Sequence, residues 1–110
     1  MLFDESKLMT HFDQDKEMIL ELVEVLKETY PETSSKLKTA IESEDFSNIE
    51  LHAHTVKGML SNFFAEELRE TAFKLEKMGR EKSLDKPLEL YASIDEKVPL
   101  LIRELRGFCG

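Results

Sequence analysis

His52-Ala53-His54-Thr55-Val56-Lys57-Gly58 lies near the middle of a 110-residue chain and reads as part of a helix. The apolar residues Ile49, Ala53, Val56, Leu60 and Phe63 recur around it at steps of four and three. That spacing marks a helix with one buried stripe. At about 100° per residue, His54 points roughly 140° from the centre of the stripe. His54, Lys57 and Gly58 fall at i, i+3 and i+4, so they share one patch of helix surface. The pattern therefore places the imidazole in water, where it can be neutral and nucleophilic near neutral pH. Beside it stand a cation and a residue with no side chain. Glycine within a helix costs about 1 kcal/mol relative to alanine, and on an exposed face no close packing accounts for it.

Outward from this stretch the same periodicity predicts more helices. Ser6 to Phe12 makes a short first helix with Leu8, Met9 and Phe12 on its apolar side, capped by Asp4 or Ser6. Asp13 to Asp15 reads as a joint, and either aspartate can cap a long second helix that runs from about Lys16 to Glu44. Its stripe is Ile19, Leu22, Val23, Leu26, Tyr30, Thr33, Leu37, Ala40 and Ile41, and Pro31 should kink or break it near Thr29. The third helix, about Phe46 to Asn62, is capped by Asp45 or Ser47 and carries His54. The fourth, about Ala65 to Lys82, buries Phe64, Leu68, Ala72, Leu75 and Gly79 with Met78 beside them. Phe73 projects away from that stripe, as a packed rim residue or as part of a partner surface. Asp85 reads as a cap for a last helix with Pro87 in its first turn. This helix buries Leu88, Tyr91, Ile94, Val98, Leu101 and Leu105, is kinked at Pro99, and ends near Arg106 with Gly107. Short turns between helices give antiparallel neighbours. The expected fold is all-α: an up-and-down four-helix bundle, residues 1–110 as a single domain, with a short extra N-terminal helix across one end.

Composition narrows the function. The formal net charge is −8, which argues against nucleic acid and membrane surfaces as partners. No apolar run approaches the roughly 20 residues of a membrane span. The acidic start, Met1 to Glu5, lacks a signal peptide's basic and apolar segments, and a cytoplasmic location is expected. The single cysteine, Cys109, excludes an internal disulfide, fits a reducing compartment and reads as an incidental thiol. Residues two apart on a helix point about 160° from each other, so His52 and His54 cannot chelate one ion. His52 is expected at the edge of the core. His11 and Cys109 do not have zinc-site spacing, so no metal site is expected. Without a glycine-rich phosphate loop before a helix, there is no sign of ATP binding.

Ala53-His54-Thr55-Val56-Lys57-Gly58 resembles the phospho-acceptor motif of histidine-containing phosphotransfer (HPt) domains, A-H-x-(L/V)-K-G. Asp45-Phe46 upstream, and Ala65, Leu68 and Leu75-Glu76 downstream, also fall where that family places similar residues. The likeness covers about Ser6 to Leu105. Three positions depart from it: Met59 stands where a small residue is common, Phe64 where a glycine is common, and Thr71 at a usually apolar position. The first two put the turn between the third and fourth helices in question. Related domains keep a proline inside one long helix, which favours a kink at Pro31 over a break.

The resemblance implies a phosphoryl carrier rather than an enzyme. His54 would accept a phosphoryl group from a receiver-domain aspartyl phosphate in a two-component phosphorelay and pass it to another receiver aspartate. The chain would need no cofactor, since Mg2+ would be held by the partner receiver. Lys57 would offset phosphoryl charge, Ser61 would donate a hydrogen bond, and Glu50 would accept one from the imidazole and set its tautomer. Gly58, with Leu51 and Thr55, would form the partner-docking patch. The expected partners are response-regulator receiver domains, with a hybrid histidine kinase as a further candidate, and the protein is expected to be monomeric. Two alternatives stand beside this reading: a helical interaction module that is never phosphorylated, and the phospho-accepting domain of a chemotaxis-type histidine kinase.

Overall fold

Aspartate carboxylates start three of the five helices. Asp4 accepts from Lys7 N, Asp15 from Met18 N and Asp45 from Asn48 N, each satisfying an amide that the first helical turn leaves without a partner. In the computed structural model, which describes residues 1–110, these caps open α1 (Glu5–His11), α2 (Lys16–Glu42) and α3 (Phe46–Ser61). α4 (Glu66–Glu81) and α5 (Pro87–Cys109) complete the chain, which has no strand.

The helices form a square in which α2 and α4 each pack against both α3 and α5. α1 lies across one end, as expected. Asp4 N donates to Phe64 O at 3.1 Å, Lys7 pairs with Glu66 at 2.7 Å, and Leu2 N donates to Glu104 Oε1 at 2.7 Å. This ties α1 to the α3–α4 junction and to the last turns of α5. The stripe expected on α3, from Ile49 to Phe63, is wholly buried. No helix is long and apolar enough to cross a membrane.

Several local expectations are corrected. α2 ends at Glu42 because Glu44 takes φ 52°, a left-handed conformation that cannot continue a helix. On α2, Ser34 rather than Thr33 occupies the interior, where its hydroxyl meets Tyr91 Oη at 2.8 Å and Asp95 Oδ1 at 2.9 Å. Asp85 does not cap α5. The cap position is Lys86, at φ 52° and without a side-chain hydrogen bond. Leu88 is 47% exposed, because α5 first turns into the core at Tyr91. α5 also continues through Gly107 to Cys109, held by Phe108, whose ring meets Phe3 edge-on at 5.5 Å. Pro31 and Pro99 both lie inside unbroken helices, in line with the expectation that neither proline ends its helix.

Phe64 has φ 56° in the turn between α3 and α4. The left-handed region costs a residue with a β-carbon about 1–2 kcal/mol, which is why glycine suits such a position. Here the aromatic ring supplies packing that glycine lacks, lying partly buried against the core with the His11 ring 5.5 Å away.

Candidate functional site

α3 and α4 come into backbone contact at Gly79. A β-carbon there would stand 2.6 Å from Glu50 N and 2.7 Å from Phe46 O. Only glycine permits this contact between backbones, and it brings the next turn of α4, with Glu76, against the α3 face that carries His54. Gly58 is the opposite case. A β-carbon there would meet nothing within 4 Å.

Glu76 is the centre of the site. Its side chain is 4% exposed, yet its carboxylate meets three nitrogen groups. His54 Nδ1 is 3.2 Å from Oε1, Lys57 Nζ is 2.8 Å from the same oxygen, and Arg80 Nη2 is 2.6 Å from Oε2. Burial pushes the Glu76 carboxyl upward, but hydrogen bonds from Lys57 and His54, with the charge of both, outweigh it and hold the group below its ordinary range. It is therefore ionised at neutral pH and can only accept hydrogen bonds. His54 Nδ1 is then the donor, and in the neutral tautomer that this selects, the lone pair lies on Nε2. The imidazole is 64% exposed at its side chain and has no second hydrogen-bond partner.

Glu50, expected to hold the imidazole, does not. Its Oε2 accepts from Arg80 Nε at 2.9 Å, and Glu76 takes the role from across the helix seam. Lys57 is less free than its spacing predicts, with 20% of its side chain exposed. Its ammonium rests 4.9 Å from the centre of the Phe73 ring, and the Lys77 ammonium lies 5.6 Å from the same ring. Phe73 is thus a half-buried residue covered by two ammonium groups, outside the core cluster. The Ser61 hydroxyl donates to Lys57 O at 2.8 Å, along its own helix rather than toward His54. Leu51 and Thr55 are exposed beside Gly58, Leu51 at 55%. His52 is half-buried on the α2–α3 side, in a shallow cleft with Ser35, Thr39 and Asn48.

Two charged residues of the site were not assigned roles from sequence. Glu76 entered only through its place in Leu75-Glu76, and Arg80 not at all. The available signal was a carboxylate flanking the apolar stripe of α4, four residues before an arginine.

Comparison with known proteins identifies the family. The family model for the Hpt domain matches residues 21–107. The phosphorelay intermediate protein rdeA of Dictyostelium discoideum is 26% identical over 106 residues, which is 96% of this chain. The chain spans 42% of that relative's length. No solved structure gives a significant match. The matched region contains His54, Lys57, Gly58, Glu76 and Arg80 and takes in most of the bundle, so the chain belongs to the Hpt domain family.

Proposed function

We propose that this chain is a phosphoryl carrier of a two-component phosphorelay, with His54 as its phospho-acceptor. The observation that carries the reading is the contact of Glu76 with His54 Nδ1, which directs Nε2, the other ring nitrogen, away from the carboxylate on an exposed ring. In the forward step the Nε2 lone pair attacks the phosphorus of an aspartyl phosphate on a receiver domain. The bond from phosphorus to the aspartyl oxygen breaks, and the carboxylate leaves with the electron pair. The proton stays on Nδ1, and Glu76 balances the positive charge that develops on the ring. Transfer to a second receiver is the reverse of this step.

Little other catalysis is required of the chain, because phosphoryl transfer depends mainly on positioning and charge. Lys57, oriented by Glu76 and Phe73, faces the incoming phosphoryl oxygens. The receiver supplies Mg2+ and the rest of the catalytic groups. Gly58, Leu51 and Thr55 give a low, partly apolar surface on which it docks. The working unit is read as a cytoplasmic monomer that binds receiver domains, including one within a hybrid kinase. A docking module that is never phosphorylated would have no need for a histidine whose tautomer is fixed by a buried carboxylate.

The test is transfer of labelled phosphate from pre-loaded receiver domains. Wild-type chain should acquire acid-labile, base-stable label, and His54→Gln should acquire none while keeping its helical signal. Label that survives in His54→Gln but disappears in His52→Gln or His11→Gln would refute the assignment.

A further inference from the structure

We infer that the cleft between α2 and α5 is a second binding site, for a small organic phosphate of nucleoside monophosphate size. It lies on the side of the helix square opposite the α3–α4 seam and plays no part in the phosphotransfer reading. Its volume is about 760 Å³, within the range of small-molecule sites.

Charge is distributed unevenly around it. In a chain of net charge −8, the cleft is lined by Lys27, Lys38, Arg103 and Arg106 and by one carboxylate, Asp95. Arg106 is paired with Glu24, but Lys27, Lys38 and Arg103 make no salt bridge, although the chain has 23 carboxylates. The antiparallel register, in which Tyr30 bonds Asp95 and Arg106 bonds Glu24, gathers Lys27, Arg103 and Arg106 toward one end. Cations without a direct carboxylate partner beside a low-dielectric wall suit a phosphate monoester, although Glu24 offsets part of the charge of Arg106 and Lys27. The strongly acidic remainder of the surface repels long polyanions and so restricts the ligand to a small one.

The rest of the cleft supplies complementary chemistry. Its floor is a buried hydroxyl network, in which Tyr30 Oη and Ser34 Oγ both donate to Asp95 Oδ1, at 3.0 and 2.9 Å. Asp95 Oδ2 has no partner and can accept from a ligand amino or hydroxyl group. Pro31 and Pro99 face the cleft from its two walls. Neither has an N–H, so the carbonyls of Lys27 and Asp95 lose their usual helical donors one turn back. With Val98 and Ile102, the proline rings form an apolar surface for a flat ring. The fitting ligand therefore has an anion at one end, a flat body, and a donor group between them.

Amide-resolved NMR titration of the full chain with AMP, adenosine and inorganic phosphate tests the site. AMP should give saturable shifts at Lys27, Tyr30, Asp95 and Arg103, with affinity at least tenfold above that of adenosine or phosphate. Lys27→Glu/Arg103→Glu should weaken AMP at least tenfold, and Lys27→Gln/Arg103→Gln by less. Both variants should accept phosphoryl label at the wild-type rate, since neither residue is near His54. No saturable shift at millimolar AMP, shifts confined to the His54 face, equal affinity for adenosine, or unaltered AMP binding in both variants would each overturn the inference.

Discussion

Gly79 and Glu50 touch through their backbones, with room for nothing larger than hydrogen between them. A β-carbon on Gly79 would come within 2.6 Å of Glu50 N. Gly79→Ala must push α4 off α3 and should cost about 1–3 kcal/mol by overpacking. Gly58→Ala meets open space and should hold or gain stability, by up to about 1 kcal/mol. Thermal melts of the two variants, moving in opposite directions, check both statements. A bulkier Gly58→Gln should stay folded and slow transfer from a receiver more than from a small phosphodonor. An unimpaired receiver rate would remove the docking role proposed for Gly58.

Glu76 makes stability depend on acid. Its folded pKa is depressed below the ordinary 4.5, so its contribution is full above that value and is lost as pH falls through the folded pKa. Wild-type chain should therefore lose stability as pH drops below 4.5. Glu76→Gln, which has no such proton to gain, should show a shallower decline over the same range. Denaturant melts at several acidic pH values compare the slopes, and parallel slopes would contradict the linkage.

Lys57 is tied into the fold more firmly than an exposed lysine. Lys57→Ala removes one of the partners of buried Glu76 and should cost about 1 kcal/mol, beyond the ±0.5 kcal/mol usual for surface sites. Under the phosphotransfer reading it should also slow transfer or shorten the life of the phosphohistidine. Phe73→Leu keeps Lys57 but removes the ring under its ammonium. This variant should slow transfer less than Lys57→Ala and leave the acid dependence of stability intact.

Lys82 ends α4 in the left-handed conformation, at φ 53° with its side chain exposed. Lys82→Gly relieves that strain at no packing cost and should stabilise by about 0.5–1 kcal/mol. For a domain near this size that is a rise of a few degrees, at about 4–8 °C per kcal/mol. Phe64→Gly relieves similar strain but removes a partly buried ring, so it should give no such gain. Calorimetry on the two variants separates strain from packing.

Much of this fold was legible because apolar residues at three- and four-residue steps can be read without knowing what they pack against. The stripe from Ile49 to Phe63 and the exposed position of His54 both come from that count. The errors arose where a neighbouring helix decides the outcome. Leu88 fits the pattern of α5 but precedes the point where that helix meets the core. Gly107 reads as an end, yet Phe108 finds Phe3 and the helix continues. Glu76 is the instructive case. A carboxylate beside an apolar stripe is ordinarily assigned to solvent, and only the approach at Gly79 turns it into the buried partner of His54. Glu50 was the natural choice from α3 alone, since nothing within one helix reveals what the next brings across the seam.

The sharing of Glu76 also bears on what kind of phosphate site the proposed function would need. Lys57 and Arg80 are already held by a carboxylate before any phosphoryl group arrives. Under the phosphotransfer reading, a phosphoryl group on His54 that draws on these cations competes with Glu76, so each contact it gains weakens one that the resting site had. The bound and empty states are thereby kept closer in free energy than they would be with unpaired cations. Such a site does not act as a sink. It suits a relay that must let go as readily as it takes hold.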